Sequence, residues 1–256
     1  MRISRKTLAI ALSGTLALAS SAVQATPISG GSLQSLLDGI TLGGVSSIDV
    51  NADQYGPDAV WTQTASGIST ARILFEIAGY KDVNSFGIYD ARDPSRRLEI
   101  FSGPNGPGSV SLVLDLGSND KGAITFSSTI LPIGTDTASF TTDKFGFYLE
   151  TPNNIWYSED HRNADGKDHM VTFAGNNSDQ ISVPGFFGLP TGYNPWTDKE
   201  FILAWEDLPA SSSDDDYDDF VVLVSNVMSV PEPGTLAIAG AGLLAFGFGM
   251  RLRRRS

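Results

Sequence analysis

Cysteine is absent from all 256 residues, histidine occurs twice, and 17 Lys+Arg face 29 Asp+Glu. Without cysteine there are no disulfides, thiolate zinc sites, iron–sulfur clusters or thiol nucleophiles. Two histidines leave little for general-base or nucleophilic catalysis. No Gly-x-Ser-x-Gly, His-Glu-x-x-His or phosphate-cradling Walker loop occurs. The shortage of cations, with a formal net charge of -12, argues against a nucleic-acid partner, which demands clustered Lys and Arg. Charged residues make up only 18% and glycines number 27, which predicts many turns and short strands rather than a helical bundle. The length suffices for one sizeable β domain with a real core.

The two ends read as addresses. Arg2, Arg5 and Lys6 precede an apolar stretch, Leu8 to Ala19, too short to span a bilayer. Val23-Gln24-Ala25 then places small residues at a cleavage position, so residues 1–25 read as a secretory signal cut after Ala25. At the other end, Gly234 to Met250 carries no charge, and Arg251, Arg253, Arg254 and Arg255 follow. As a helix this stretch would extend about 25 Å, close to a bilayer's ~30 Å hydrocarbon core. It reads as a transmembrane helix whose arginines stay cytoplasmic and leave the body of the protein outside. Ala237, Ala241, Ala245 and Gly249 give it a small-residue face. Gly240 to Ala245 also spells a dinucleotide-type fingerprint, which the lack of any downstream acid and the chain's end dismiss.

Val230-Pro231-Glu232-Pro233 stands directly before the apolar stretch. Two prolines around a glutamate continue neither strand nor helix, and read as an extended, protease-accessible spacer. Pro231, Glu232 and Pro233, then a short apolar helix, then the terminal Arg cluster resemble the PEP-CTERM sorting signal of Gram-negative bacteria. The resemblance implies export through the inner membrane and recognition by exosortase, a membrane peptidase. It further implies removal of the tail, delivery to the cell surface or the exterior, and association with exopolysaccharide and biofilm.

With residues 1–25 go three cations, and with residues 231–256 go four arginines and Glu232. The body keeps 10 cations against 28 acids, a net charge of -18. Such a surface repels DNA and anionic lipid and attracts divalent cations.

Residues 26–70 form a Gly/Ser-rich segment with one short helix expected at Leu33–Ile40, Ser32 as its N-cap and Gly43 beyond its end. From 71 to 229 the hydrophobic period is two. Strands are expected around Ile73–Ile77, Ser85–Asp90, Leu98–Phe101, Val110–Leu116, Ala123–Ser128, Phe145–Glu150, Ile155–Ser158, His169–Ala174, Phe201–Glu206 and Phe220–Val227, the last central by its continuous apolarity. The expected fold is all-β: one antiparallel β-sandwich of jelly-roll or Ig-like type.

The distinctive chemistry is acidic. Glu206, Asp207, Asp214, Asp215, Asp216, Asp218 and Asp219 fall in a hairpin-like connection of fourteen residues. Extended, that segment would project Asp214, Asp216 and Asp218 to one side. Calcium takes six to eight oxygens, so Glu206, Asp207, Asp214, Asp216, Asp218 and Asp219 are the candidate ligands. It is no EF-hand, since Asp219 and Ser225 occupy the positions of the required Gly and Glu. The alternative is a solvated acidic loop or an acidic edge that discourages strand pairing between molecules. Glu159, Asp160, Asp165 and Asp168 form a second acidic loop beside His169, which reads as a hydrogen-bonding strand residue.

Six blocks resemble the bacterial family called domain of unknown function 4114, over residues 75 to 224. They are Phe75–Tyr80, Ser85–Asp90, Phe145–Leu149, Tyr157–Asp160, Asp168–Val171, and Glu206-Asp207-Leu208 with Asp216–Asp219. Asp218 stands where the family commonly has Asn, and serines replace its usual loop glycine. The closing signature is similar to calcium-bound loops in secreted adhesins, so the resemblance implies calcium.

Together these readings predict a non-enzymatic, exported protein of structural or interaction type that works in an extracellular matrix. The alternative is a calcium-dependent carbohydrate-binding module, with Trp61, Trp156, Tyr193 and Trp196 as sugar-stacking candidates unless they pack inside. A glycoside hydrolase using paired carboxylates is the least favoured reading.

Overall fold

The computed structural model describes residues 25–76, 82–118, 123–130, 135–183 and 192–231. The expected signal segment before Ala25 lies outside the described residues. So do Glu232, Pro233, the C-terminal apolar stretch and Arg251, Arg253, Arg254 and Arg255. Among the described residues no helix is long and apolar enough to cross a membrane.

In chain order, helix α1 (Ser32–Ile40) leads into β1 (Trp61–Gln63), β2 (Ile68–Glu76), β3 (Ser85–Asp90), β4 (Asp93–Phe101) and β5 (Val110–Ser118). Next come β6 (Ile124–Ile130), β7 (Thr135–Phe140), β8 (Lys144–Glu150), β9 (Ile155–Tyr157) and β10 (Met170–Ala174). The last are β11 (Gln180–Val183), β12 (Gly192–Pro195), β13 (Glu200–Trp205), β14 (Phe220–Ser225) and β15 (Val227–Ser229). One sheet runs β15-β1-β8-β3-β4, with β9 also on β8. The other runs β10-β13-β14-β2-β5-β6-β7. Strands β11 and β12 form a small ribbon apart, and the pairings are antiparallel. The expected antiparallel β-sandwich is therefore the architecture, and both sheets begin upstream of residue 71, at Trp61 and Ile68.

Period-two alternation sorts side chains between two cores. On β13, Phe201, Leu203 and Trp205 enter the inter-sheet core, while Ile202 and Ala204 face the other way. On β14, Phe220, Val222 and Val224 point inward and Val221 and Leu223 outward. Val171 and Phe173 of the neighbouring strand β10 share that outer face, and Leu33 and Leu37 of α1, Ile181 and Val183 of β11 and Trp196 cover it. The centre of the larger sheet is thus buried on both sides, which explains the continuous apolarity of β14.

Several expectations need correction. Gly31, not Ser32, is the N-cap residue, and Ser32 is the first helical residue. The run Phe220–Val227 is two strands in different sheets, broken at Asn226, which adopts φ 59°. Asn tolerates that left-handed conformation, and the turn carries the chain across the sandwich. Strand β7 went unread because Thr135–Phe140 is an exposed Ser/Thr-rich edge. The first residue of the expected spacer, Val230, is tied to the sheet: Trp61–Gln63 pairs with Val227–Ser229, the Val230 amide donates to the Val60 carbonyl at 2.7 Å, and Pro231 is exposed.

Strands β3 and β8 interlock by a reciprocal device. Tyr89 lies opposite Gly146, and Tyr148 opposite Gly87. A Cβ on Gly146 would come within 2.3 Å of the Tyr89 ring, so each ring occupies the space a side chain would take. Gly146→Ala should lower stability by about 1–3 kcal/mol through overpacking. Gly106→Ala, where a Cβ meets nothing within 4 Å, should be close to neutral. Urea unfolding of both variants checks the contrast.

Candidate metal centre

Strands β13 and β14 meet with Trp205 opposite Phe220, so residues 206–219 close a long hairpin at one end of the sandwich. The Glu206 amide continues the ladder by donating to the His169 carbonyl at 3.0 Å. The connection is not extended as expected. The Ser212 and Ser213 amides close a turn on the Pro209 carbonyl, and Asp215 and Tyr217 both adopt φ 57°. Tyr217 folds inward, 2% exposed, and its hydroxyl donates to the Asp168 carbonyl at 2.7 Å. Asp215 is turned to the outside, its carbonyl accepting the Ser29 amide at 2.7 Å.

The remaining six acids converge. Ligand oxygens lie within 4.8 Å of one another in three sets: Glu206, Asp207 and Asp219; Glu206, Asp214 and Asp216; Asp216, Asp218 and Asp219. Shared members link the sets into one chain of carboxylates. The residues the sequence singled out as candidate ligands are thereby brought together. Glu206, Asp207 and Asp218 are buried, Asp216 and Asp219 half-buried, and Asp214 exposed.

The hydrogen bonding is incomplete. The Asp207 amide donates to Asp219 Oδ2 at 2.9 Å, and the Leu208 amide to Glu206 Oε1 at 3.2 Å. Asn84 Nδ2 donates to Asp207 Oδ2 at 3.0 Å. Glu206 Oε2 and Asn84 Oδ1 are buried and accept no hydrogen bond. The nearby Ser213 hydroxyl donates to Asp215 at 3.0 Å and also lies close enough to Glu206 to favour its ionised form. Orphaned oxygens at a cluster of carboxylates fit a hard cation, which takes oxygen donors alone.

Electrostatics agree. Burial, then the charges of Asp207, Glu206 and Asp216, pushes Asp219 up to about 8. Burial also raises Glu206, with Asp214 and Asp216 adding to it, and raises Asp207 and Asp216. Although Asp214 is exposed, Glu206, Asp207 and Asp219 are withdrawn from solvent and resist ionising together unless a cation joins them.

The second acidic loop does meet this hairpin. His169 is buried and stacks on Trp156 at 3.7 Å between ring centroids. Its Nδ1 lies 3.0 Å from the Glu206 carbonyl and its Nε2 3.1 Å from Asp165 Oδ2. Trp156 Nε1 donates to the Asp207 carbonyl at 2.9 Å, and the Ala210 amide to Asp165 Oδ2 at 3.0 Å. His169 is thus a strut, with both ring nitrogens engaged. Burial pushes Asp165 upward, but hydrogen bonds from Ala210, Lys167 and His169 outweigh it and hold the acid below its ordinary range.

Asp168 belongs to a separate acidic group. Burial, with Asp160 adding its charge, raises it to about 6. Asp58, half-buried with its carboxyl turned inward, is raised to about 8 by burial and by Asp168. Asp58 and Asn84 escaped the sequence reading. Each stands alone in a loop far from its partners, and no local pattern marks it. Of the stacking candidates, Trp61, Trp156 and Trp196 are fully buried, and Tyr193 is exposed.

The chain matches the PEP-CTERM protein-sorting motif over residues 229–255. That motif indicates export and membrane-anchored sorting in Gram-negative bacteria, and implies processing by exosortase, a membrane protein. No curated protein and no solved structure matches the chain.

In the ion-free protein Asp219, Asp58 and Asp168 hold protons more tightly folded than unfolded, where their ordinary value is 3.8. A raised folded-state value makes the native state bind more protons, so the stability these acids confer is full below pH 3.8 and declines as pH rises through about 8. Melting temperatures in a metal chelator should therefore fall between pH 5 and pH 8, the reverse of the usual Asp behaviour. Thermal scans across that range check it.

Proposed function

We propose that this is an exported, exosortase-sorted β-sandwich of structural or interaction type. It works at the cell surface or outside the cell, in an exopolysaccharide or biofilm matrix, with binding rather than catalysis as its task. The observation that carries the reading is the sorting motif at residues 229–255, which supports a destination outside the inner membrane. The likeness of residues 75–224 to the domain of unknown function 4114 family fits it and adds no reaction.

We further propose that Glu206, Asp207, Asp214, Asp216, Asp218 and Asp219 hold calcium, with Asn84 Oδ1 as a neutral oxygen beside them. The orphaned Glu206 Oε2 inside the carboxylate cluster supports this. The ion's role is structural. It neutralises the end of the β13–β14 hairpin and clamps it, in a domain that lacks the disulfides many exported proteins use. The burial of three tryptophans removes most of the stacking surface a sugar site would use, so we do not advance the lectin reading. The carboxylates crowd within 4.8 Å of one another in sets of three rather than standing as one separated pair, which weighs against glycoside hydrolysis.

Calcium at 100-fold excess over its dissociation constant should stabilise the folded state by about 2.7 kcal/mol. Asp216→Asn combined with Asp219→Asn should abolish the calcium-dependent rise in melting temperature. Calorimetry showing no calcium binding at millimolar concentration removes the metal reading. Deleting residues 231–256 should abolish C-terminal processing and change where the protein is found on cell fractionation. Unchanged processing and location would remove the sorting reading.

A further inference from the structure

The chain that follows the expected signal cleavage does not trail into solvent. Thr26 would become the first residue of the exported protein, and it is seated in a cleft of roughly 440 Å³ lined also by Ala25, Asp168, Glu206 and Tyr217. Its amide nitrogen donates to Gln54 Oε1 at 2.8 Å, and its carbonyl accepts from Gln54 Nε2 at 2.7 Å. One glutamine side chain thus grips the backbone of Thr26 at two points. The Thr26 hydroxyl donates to Asp168 Oδ2 at 2.6 Å. Further along, the Ile28 amide donates to Asn51 Oδ1 at 2.9 Å and the Ser29 amide to the Asp215 carbonyl at 2.7 Å.

The seat is acidic and short of cations. Asp168 contacts Thr26 directly, and Asp58 and Asp160 lie within electrostatic reach of Asp168. Among the described residues neither Asp58 nor Asp168 forms an ion pair with Lys, Arg or His. Of the nearby cations, Arg162 is engaged by Glu159, His169 by Asp165, and Lys167 is exposed at the cleft. A threonine's nitrogen and hydroxyl hang from adjacent carbons, so the nitrogen stays within about 6 Å of the Asp168 carboxylate, where an opposite charge acts strongly.

We propose that signal cleavage after Ala25 creates the missing cation: the new α-ammonium of Thr26 docks between Gln54 and the Asp168–Asp58 carboxylates and locks the N-terminal segment onto the sandwich. Before cleavage the same nitrogen is a neutral amide with a single proton to give. After cleavage it is an ammonium with three donors, one for Gln54 and two for the acids. Removing the signal thereby converts a seat of buried acids with no paired cation into a closed ion pair, so export and final folding are coupled at one nitrogen. The proposal rests on the secretory reading of residues 1–25 but not on calcium at the hairpin.

The test uses the full chain, expressed with its signal and recovered after export. Mass spectrometry of the intact N-terminus reads the cleavage site. The rate at which an amine-acylating reagent modifies the Thr26 α-amine is then followed against pH, folded and in urea. Opposing effects separate the alternatives: neighbouring carboxylates raise an ammonium's pKa, whereas burial alone lowers it. In urea the profile should centre on the ordinary α-amino value of about 7.7–8.0. In the folded protein it should move at least about one unit higher, making acylation about fivefold slower at pH 8 and about tenfold slower at about pH 6.5, well below both values. Asp168→Asn should return the folded profile toward the urea value, and Asp58→Asn, which does not touch the threonine hydroxyl, should return it partway. A chain beginning elsewhere than Thr26 overturns both the cleavage reading and the docking. A chain beginning at Thr26 whose folded amine titrates at or below the urea value overturns the docking alone.

Discussion

Carboxylates packed against one another inside a folded end of a protein must share protons, bind a cation or separate. At the β13–β14 hairpin they do not separate. Asp215 and Tyr217 take left-handed backbone conformations that turn Asp214, Asp216 and Asp218 toward Glu206, Asp207 and Asp219. The supports are buried rings held by hydrogen bonds: the Trp156–His169 stack beneath the Asp207 and Glu206 carbonyls, and the Tyr217 hydroxyl on the Asp168 carbonyl. These contacts fix the backbone that carries the charges, so repulsion between the acids cannot be relieved by opening the loop. It is relieved by countercharge, or by protons held above their usual range.

The strands behind the hairpin make that rigidity possible. Strands β13 and β14 are buried on both faces, inward against the second sheet and outward against α1, β11 and Trp196. A slip of one residue would drive Trp205 and Phe220 from one core into the other, so the register is held from two sides. The same covering layer brings the N-terminal segment across the sheet, and there Thr26, Ile28 and Ser29 find partners on Asp168, Asn51 and Asp215. The two acidic groups thus belong to one end of the molecule while using different strategies. One gathers its charges on a single connection, and the other is assembled from Asp58, Asp160 and Asp168.

Each terminus of the described body is tied to the fold rather than linked to it loosely. At the C-terminal side, β15 pairs with β1 and the Val230 amide is bonded to Val60, so the matched sorting motif starts inside the sheet. At the N-terminal side, Gln54 grips Thr26.

Much of this was legible from residue order. Export, sorting, the acidic body and the β architecture rest on local signals: basic flanks, apolar runs, a Pro-Glu-Pro spacer, and period-two alternation in β3, β8, β13 and β14. The six converging acids were legible too, because they crowd one short connection. Edge strand β7, the break at Asn226, the Tyr89–Gly146 and Tyr148–Gly87 interlock, and the partners Asp58 and Asn84 were not. Sequence by itself determined the sorting motif and which acids crowd one connection, since those properties depend on neighbours along the chain. Tertiary structure alone decided which of those acids are buried, which oxygens lack partners, and which carboxylates meet Thr26, since burial and charge proximity depend on neighbours in space.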